Sequence, residues 1–513
     1  MSRRQWCGIS LPSVSVSPSV VAIVFLLSLG IFLRVFNFWI PDLWIDEYST
    51  WWVIDGSWLQ AIDRAVRIQS QSPFYYLLVK CSVELLGPNP FALRLPSILL
   101  GIIVLFLSYP LGMRLFRDRH TALLVLATFA VNQLLIWYSQ EARPYALALC
   151  CTMLSFLTYV KLLEQESVFN RVSYVLATLG AYYAHYLFGF IIVIQLVHLH
   201  FVLKKPWWLF RKWQWTMLSL VLGCVVGSAQ LMSLFHRRGM LDYISPQGWS
   251  ASLLVALQLL DPMVFSMMAF MLLVLGVRGE NSLDRSTQSN RSLLLLWFVL
   301  PFVCFGIIPP LFGVTLVAMR GIHSARYVLF ALPAALCIVA WFMSFAKREA
   351  WRKWIPLAVL LGLYWTVYLK PALSFSSTFT GWPSEGFTRA AETLKASSAG
   401  DDFILFAPGY ADGDVVAGPM LPDPVHLSAL RWPLLAHLKT FKPEQFHLLP
   451  FRVDERTLPY LRRVLSEASE QKRVWVVGMG EAVPHVVSAL SDSGFHIGGQ
   501  AVYGAVYIFQ LNR

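Results

Sequence analysis

Residues 92–114 read ALRLPSILLGIIVLFLSYPLGMR, an apolar run whose only charges are Arg94 near its start and Arg114 at its end. At 1.5 Å rise per residue such a run is long enough to cross a hydrocarbon core of roughly 30 Å. Ten further candidates flank it, near 19–37, 120–138, 144–163, 172–185, 187–203, 214–234, 263–278, 292–318, 327–346 and 353–371, so about eleven spans are expected. Composition agrees: the 513 residues are 57% hydrophobic and 14% charged, against roughly 25% charge in an ordinary soluble domain. So few charges cannot cover a water-exposed surface, and the fold class is a polytopic α-helical membrane protein.

Orientation follows from the basic residues, because Lys and Arg near spans are retained on the cytoplasmic side. Arg114, Arg117, Arg119, Lys161, Arg171, Lys204, Lys205, Arg211, Lys212, Arg278, Arg285, Arg291, Lys347, Arg348, Arg352 and Lys353 fall in alternate gaps, and Arg3 and Arg4 precede the first run. The opposite face carries the segment 38–91 with Asp42, Asp46, Glu47, Asp55, Asp63 and Glu84. That segment is expected to face outward, as is the C-terminus. The first run has basic residues before it but no A-x-A site after it, and reads as a retained span rather than a cleaved leader. The net charge of +12 reports topology here, and no separate basic nucleic-acid module is present. The seven cysteines, at 7, 81, 150, 151, 224, 304 and 337, lack metal or disulfide spacing and read as small hydrophobes.

Beyond residue 371 the composition becomes mixed, so 372–513 is expected to be a soluble extracytoplasmic α/β domain. SEGFTRAAETLKAS predicts an amphipathic helix before the buried strand DFILFAP. A second helix at 455–471 leads into RVWVVGMG, and AVYGAVYIFQL predicts a closing strand or hairpin. GMGEAV lacks the spacing of a phosphate-binding glycine loop. Asp412 and Asp414 could hold a cation but fit a solvated turn better.

Chemistry is expected at the outer ends of the spans. WIDEYSTWW sets Asp46 and Glu47 among Trp44, Trp51 and Trp52, where indoles collect at a membrane interface. Carboxylates there are costly unless employed, although capping an interfacial helix would also account for them. QSPFYYLLVK places Pro73 at a helix start followed by Tyr75, Tyr76 and Lys80, either a site wall or a plain interfacial anchor. WYSQEARPYALAL crowds Gln140, Glu141, Arg143 and Tyr145 at a span boundary, where the charges could instead neutralise helix ends. His185, in AYYAHYLFGF, reads as a core histidine or a substrate contact. Arg326, next to Tyr327 in ARYVLF, offers a planar fork suited to phosphate, with snorkelling to headgroups as the competing account.

In that order the motifs resemble the GT-C superfamily of integral-membrane glycosyltransferases, in the branch holding protein O-mannosyltransferases, aminoarabinose transferases and RgtA/B/C/D-like enzymes. WIDEYST resembles the first-loop Asp-Glu, SPFYYLLV the interfacial segment, FALRLPSILLGIIVLFLSYPLGMRLF the second span, YSQEARPYALAL the end of the third and ARYVLFALP a late outer motif, together covering roughly the first 350 residues. The resemblance implies transfer of a sugar from a polyprenyl-phosphate donor to an acceptor hydroxyl or amine on a lipid, glycan or protein. Transfer would occur with inversion on the extracytoplasmic side of the plasma (inner) membrane. Asp46 matches the implied general base, with Glu47 beside it as a second catalytic or orienting acid. Arg143, Arg326 and Lys80 are the expected phosphate contacts, and Tyr75, Tyr76, Gln140, Glu141, Tyr145, His185 and Tyr327 the expected cavity lining. Gln71, Ser72 and Pro73 stand where relatives carry His or Lys before Pro-Pro, which puts a phosphate contact there in doubt. The first loop lacks a D-x-D signature, so no obligatory metal and no cofactor is expected. A sugar or lipid transporter (a flippase, for example) and a non-catalytic envelope scaffold are the alternatives. Against the first, no internal repeat is visible.

Overall fold

A computed structural model describes residues 18–36, 42–205, 211–228, 256, 259, 285–307, 325–344, 386–398, 402–409, 416–417 and 423–513. The expected spans at 263–278 and 353–371, together with Arg3, Arg4, Asp412 and Asp414, lie outside these residues. Helix α1 (Pro18–Val35) is followed by three short helices, α2 (Ile45–Ile54), α3 (Trp58–Arg67) and α4 (Pro73–Leu86). The membrane part continues through α5 (Pro90–Phe116), α6 (Arg119–Val131), α7 (Gln133–Gln140), α8 (Tyr145–Glu164), α9 (Val168–Ala184), α10 (Phe190–Val197) and α11 (Arg211–Val226). It ends, among described residues, with α12 (Arg285–Phe302) and α13 (Leu332–Ser344), the latter preceded by the 3-10 stretch Ala325–Ala331.

Local chemistry sets these boundaries. Asn89 caps α5 by accepting the Ala92 N–H at 2.9 Å, with Pro90 at the first helical position. Asn132 ends α6 and also caps α7 by accepting the Leu135 N–H at 3.0 Å, so the two helices meet at a 52° bend. A break inside an apolar helix pair leaves carbonyls that lipid cannot satisfy. Buried Arg34 of α1 supplies the donors, to Phe129 O at 2.9 Å and Ala130 O at 3.3 Å. Farther into the bundle, Ser155 with Thr178 at 2.7 Å, Gln195 with Ser155 at 2.9 Å and Tyr174 with Gln195 at 2.8 Å tie α8, α9 and α10 together. Such interhelical bonds are what hold helices where no hydrophobic drive separates them from lipid.

Three helices, Pro90–Phe116, Tyr145–Glu164 and Gln288–Phe305, are long and apolar enough to cross a membrane, and the bent pair makes a fourth. Ser19–Val35, Tyr186–Val202, Trp213–Val226 and Arg326–Trp341 are apolar but shorter. Eleven crossings are therefore not reached among the described residues. The outer surface of the bundle exposes Phe25, Phe32, Leu99, Phe106, Leu176 and Val226, a belt suited to lipid rather than water.

The C-terminal part forms a five-stranded sheet in the order β2-β1-β3-β5-β4, built from β1 (Phe403–Ala407), β2 (Phe446–Leu448), β3 (Arg473–Gly478), β4 (His496–Tyr503) and β5 (Val506–Asn512). Strands β2, β1 and β3 run parallel and β5 and β4 close the sheet as an antiparallel hairpin. Four helices cover it: α14 (Phe387–Ser397), α15 (Pro424–Leu435), α16 (Leu458–Ser469) and α17 (Ala482–Asp492). The expected first helix, first strand, 455–471 helix and terminal hairpin are all present. Helices α15 and α17 and strand β2 went unread. Gly478 of GMG is needed sterically, since a Cβ there would collide with the Ala407 carbonyl on the neighbouring strand.

Alternation along the strands sends side chains to two faces. Leu405, Val474 and Val476 pack with Leu461, Val464, Val486 and Leu490 on one side. Ile404, Phe406, Trp475 and Val477 face the other way, into a core that also contains Phe387 and Leu434 and, from the first inter-span segment, Tyr48, Trp52, Val53, Tyr75, Tyr76 and Val79. The sheet thus shares one core with α2 and α4.

Candidate active site

Helix α2 presents two acids in its first turn, where the helix dipole favours negative charge. Glu47 is buried and held from three elements. Arg94 of α5 donates to it through Nε at 2.8 Å and Nη2 at 2.6 Å, and the backbone N–H groups of Ala142 at 2.9 Å and Trp44 at 3.3 Å complete the set. The two-bond fork is the strong geometry for a guanidinium and a carboxylate. With four hydrogen bonds accepted, Glu47 holds the loop against α5 and the α7–α8 turn. Arg94 also donates to Asp42 O at 2.9 Å, which ties the start of that loop to α5.

Asp46, one residue earlier, points elsewhere. Its Oδ2 lies 3.2 Å from Arg326 Nη1, and both side chains keep about a quarter of their surface exposed, 25% and 27%. Arg143, from the turn between α7 and α8, reaches the Asp46 carbonyl at 3.5 Å. Residues from three separate stretches therefore meet at one end of the bundle. Around them stand Tyr145, against which Tyr138 packs at 5.0 Å between ring centroids, and His185, whose ring lies 5.7 Å from that of Tyr145. Tyr327 lies under Arg326 at 5.3 Å.

Several buried polar atoms here have no hydrogen-bond partner among the described residues: both carboxyl oxygens of Glu141, Nε of Arg143 and of Arg326, and Nδ1 of His185. Burial without partners is costly, and grouped at one site these atoms form a cradle for a polar ligand. Burial, and secondarily the negative charge of Asp46, pushes the Glu141 carboxyl up to about 8, although Arg143 pulls against it.

Other expected site residues are engaged differently. Lys80 donates to Ile54 O at 3.1 Å and Gly56 O at 2.6 Å and pairs with Glu84 at 3.2 Å. Its ammonium is engaged at the carbonyl end of α2, a favourable place for a cation. Gln140 donates to Leu33 O, Arg34 O and Phe36 O at 3.1, 3.2 and 2.9 Å, because the last carbonyls of α1 need donors. Tyr75 bonds Ser97 at 2.7 Å and Tyr76 donates to Gln71 at 2.9 Å, both within the shared core. Arg94 was missed, although an arginine inside an otherwise apolar run is a legible signal of an employed charge.

Residues 70–230 match the family model described as dolichyl-phosphate-mannose-protein mannosyltransferase. By sequence, no curated protein matches the chain. Among solved structures, the apo crystal structure of ArnT from Cupriavidus metallidurans superposes with a TM-score of 0.51 at 13% identity, covering 96% of this chain and 98% of that one. The Archaeoglobus fulgidus oligosaccharyltransferase, solved with a tethered acceptor peptide containing the NVT sequon, gives 0.50 at 11% identity, covering 89% of this chain and 68% of that one. By its fold over nearly the whole length and by the match over residues 70–230, the chain is similar to the GT-C membrane glycosyltransferases that its motifs resemble.

Proposed function

We propose that the protein transfers a sugar from a polyprenyl-phosphate donor to an acceptor hydroxyl or amine, on the extracytoplasmic side of the plasma membrane, with inversion. The observation that carries this reading is the Asp46–Arg326 pair at 3.2 Å beside Arg143 and Glu141, whose carboxyl has no hydrogen-bond partner among the described residues. Asp46 is the general base: it takes the acceptor's proton as the acceptor oxygen or nitrogen bonds to the anomeric carbon. The bond from that carbon to the phosphate oxygen breaks, and polyprenyl phosphate departs with the electron pair. A phosphate leaving group is a weak base, so the greater need is stabilisation of its charge. Arg143 and Arg326 fill that role. Among the described residues each keeps its Nε unspent, and a guanidinium holds its charge even when buried. No obligatory metal is part of this proposal, and turnover should survive a chelator.

Two measurements bear on the arginines and their neighbour. Arg143→Ala and Arg326→Ala should each weaken donor binding by roughly tenfold or more, as expected for loss of a charge-assisted contact worth about 1.5–3 kcal/mol. Unchanged affinity in both variants, read by titration with a lipid-phosphate probe, would remove that role. The second concerns pH. Glu141 is neutral below about 8 and becomes a carboxylate above it, adding a negative charge that competes with donor phosphate for the two guanidiniums. Donor affinity should therefore fall as pH rises through about 8, and Glu141→Gln, neutral throughout, should flatten that limb. An identical limb in the Gln variant would assign it to another group.

A further inference from the structure

We propose that the C-terminal α/β domain is a working part of the active site: it holds helix α2, and His437 and Ser428 are positioning residues for Asp46. The inference rests on the assignment of Asp46 as base and adds residues roughly 380 positions away along the chain.

Helix α2 carries Asp46 on one side and its anchors on the other. At about 100° per residue, Tyr48, Trp51 and Trp52 lie within an arc of roughly 100° centred nearly opposite Asp46. That rear face is where the C-terminal domain sits. Tyr48 shares a hydrogen bond with His437 Nε2 at 2.8 Å, and Trp52 Nε1 donates to Ser428 Oγ at 3.0 Å. Ring contacts fill the rest: Tyr48 stands edge-on to Phe387 at 5.7 Å, and Trp51 to Trp432 at 6.3 Å and to His437 at 5.9 Å. Tyr48 and Trp52 are each only 1% exposed, so their polar atoms have no water to fall back on.

The other sides of α2 are held from the membrane part, by Arg94 through Glu47 and by Lys80 and Arg64 at its C-terminal end. Those contacts restrain the two ends of the helix. Rotation about its long axis, the motion that would swing Asp46 away from Arg326, is opposed by the rear face. A ten-residue helix is too short to be stable alone, so its orientation is set by what packs against it. Misplacing a base by 1 Å is costly to turnover. Holding it is a contribution to rate, and it comes from the C-terminal domain.

The test compares full-length variants in detergent or lipid discs. His437→Ala and Tyr48→Phe should each lower kcat by roughly three- to tenfold, the range expected for one lost hydrogen bond, with donor KM unchanged. Amide exchange across 45–54 should quicken while α5 and α8 stay protected. The double variant should be no worse than the poorer single one, because both remove the same bond, and His437→Gln, which can still pair with the Tyr48 hydroxyl, should recover most of the rate. Tyr48→Phe keeps the ring and its packing and removes only the hydroxyl, so the comparison holds even if His437→Ala folds poorly. Wild-type kcat and unchanged 45–54 exchange in these variants, with Asp46→Asn inactive, would overturn the inference and leave the base assignment standing. Retained turnover in Asp46→Asn would overturn the base assignment, and faster 45–54 exchange in Tyr48→Phe would then still report the hold on α2.

Discussion

Replacing Asp46 by Asn should lower turnover by roughly 10²- to 10⁴-fold, the usual contribution of a positioned general base, while the protein still folds and inserts. The substitution is nearly isosteric, and Asp46 sits at a partly exposed mouth rather than in a packed core, so the structural cost is small. What is lost is the capacity to accept the acceptor's proton. Donor binding should survive or even tighten, because Arg326 is freed from its pair. The check is a steady-state assay alongside a thermal unfolding curve. Unaltered kcat with an unaltered curve would end the base assignment.

Arg94→Met is expected to produce the largest loss of stability. The Glu47–Arg94 pair is buried, with Glu47 1% and Arg94 8% exposed. Removing one partner leaves an uncompensated carboxylate, a cost of about 3–5 kcal/mol. Glu47→Gln should be milder, because the amide oxygen can still accept from Ala142 or Trp44. In the double variant neither charge is stranded, so its loss should fall short of the sum of the two single losses. Thermal or denaturant unfolding of the three purified variants provides the comparison; simple additivity would show that the two side chains act independently. Because the pair joins α2 to α5 and to the turn carrying Arg143, Arg94→Met should depress activity as well.

Much of the architecture was legible in the residues alone. The run 92–114 became part of one continuous helix, with Pro96 and Pro110 inside it, and the tail's alternating helix and strand patterns became a sheet whose closing segment is a hairpin. The bend at Asn132 was not legible, since an apolar pattern passes through it without interruption and only the capping geometry reveals it. Within the site, Asp46, Glu141, Arg143, His185 and Arg326 were all named from charge or aromatic clustering at span ends, and they do meet. Lys80, named from the interfacial segment, and Gln140, named from the cluster at a span end, each donate to carbonyls at a helix end, because a donor near a membrane boundary serves exposed carbonyls as readily as a ligand.

The sequence by itself determined the solvent, the helical membrane class, the α/β character of the tail and the end of the bundle at which charge collects. Each of these depends on composition or on a repeat of a few residues, so each survives being read locally. Only the tertiary structure decided which polar groups pair: Glu47 with Arg94 across 47 positions, Asp46 with Arg326 across 280, and Tyr48 with His437 across 389. No periodicity encodes such separations. They arise when packing brings distant segments within hydrogen-bonding reach, and burial then makes an unpaired polar group costly.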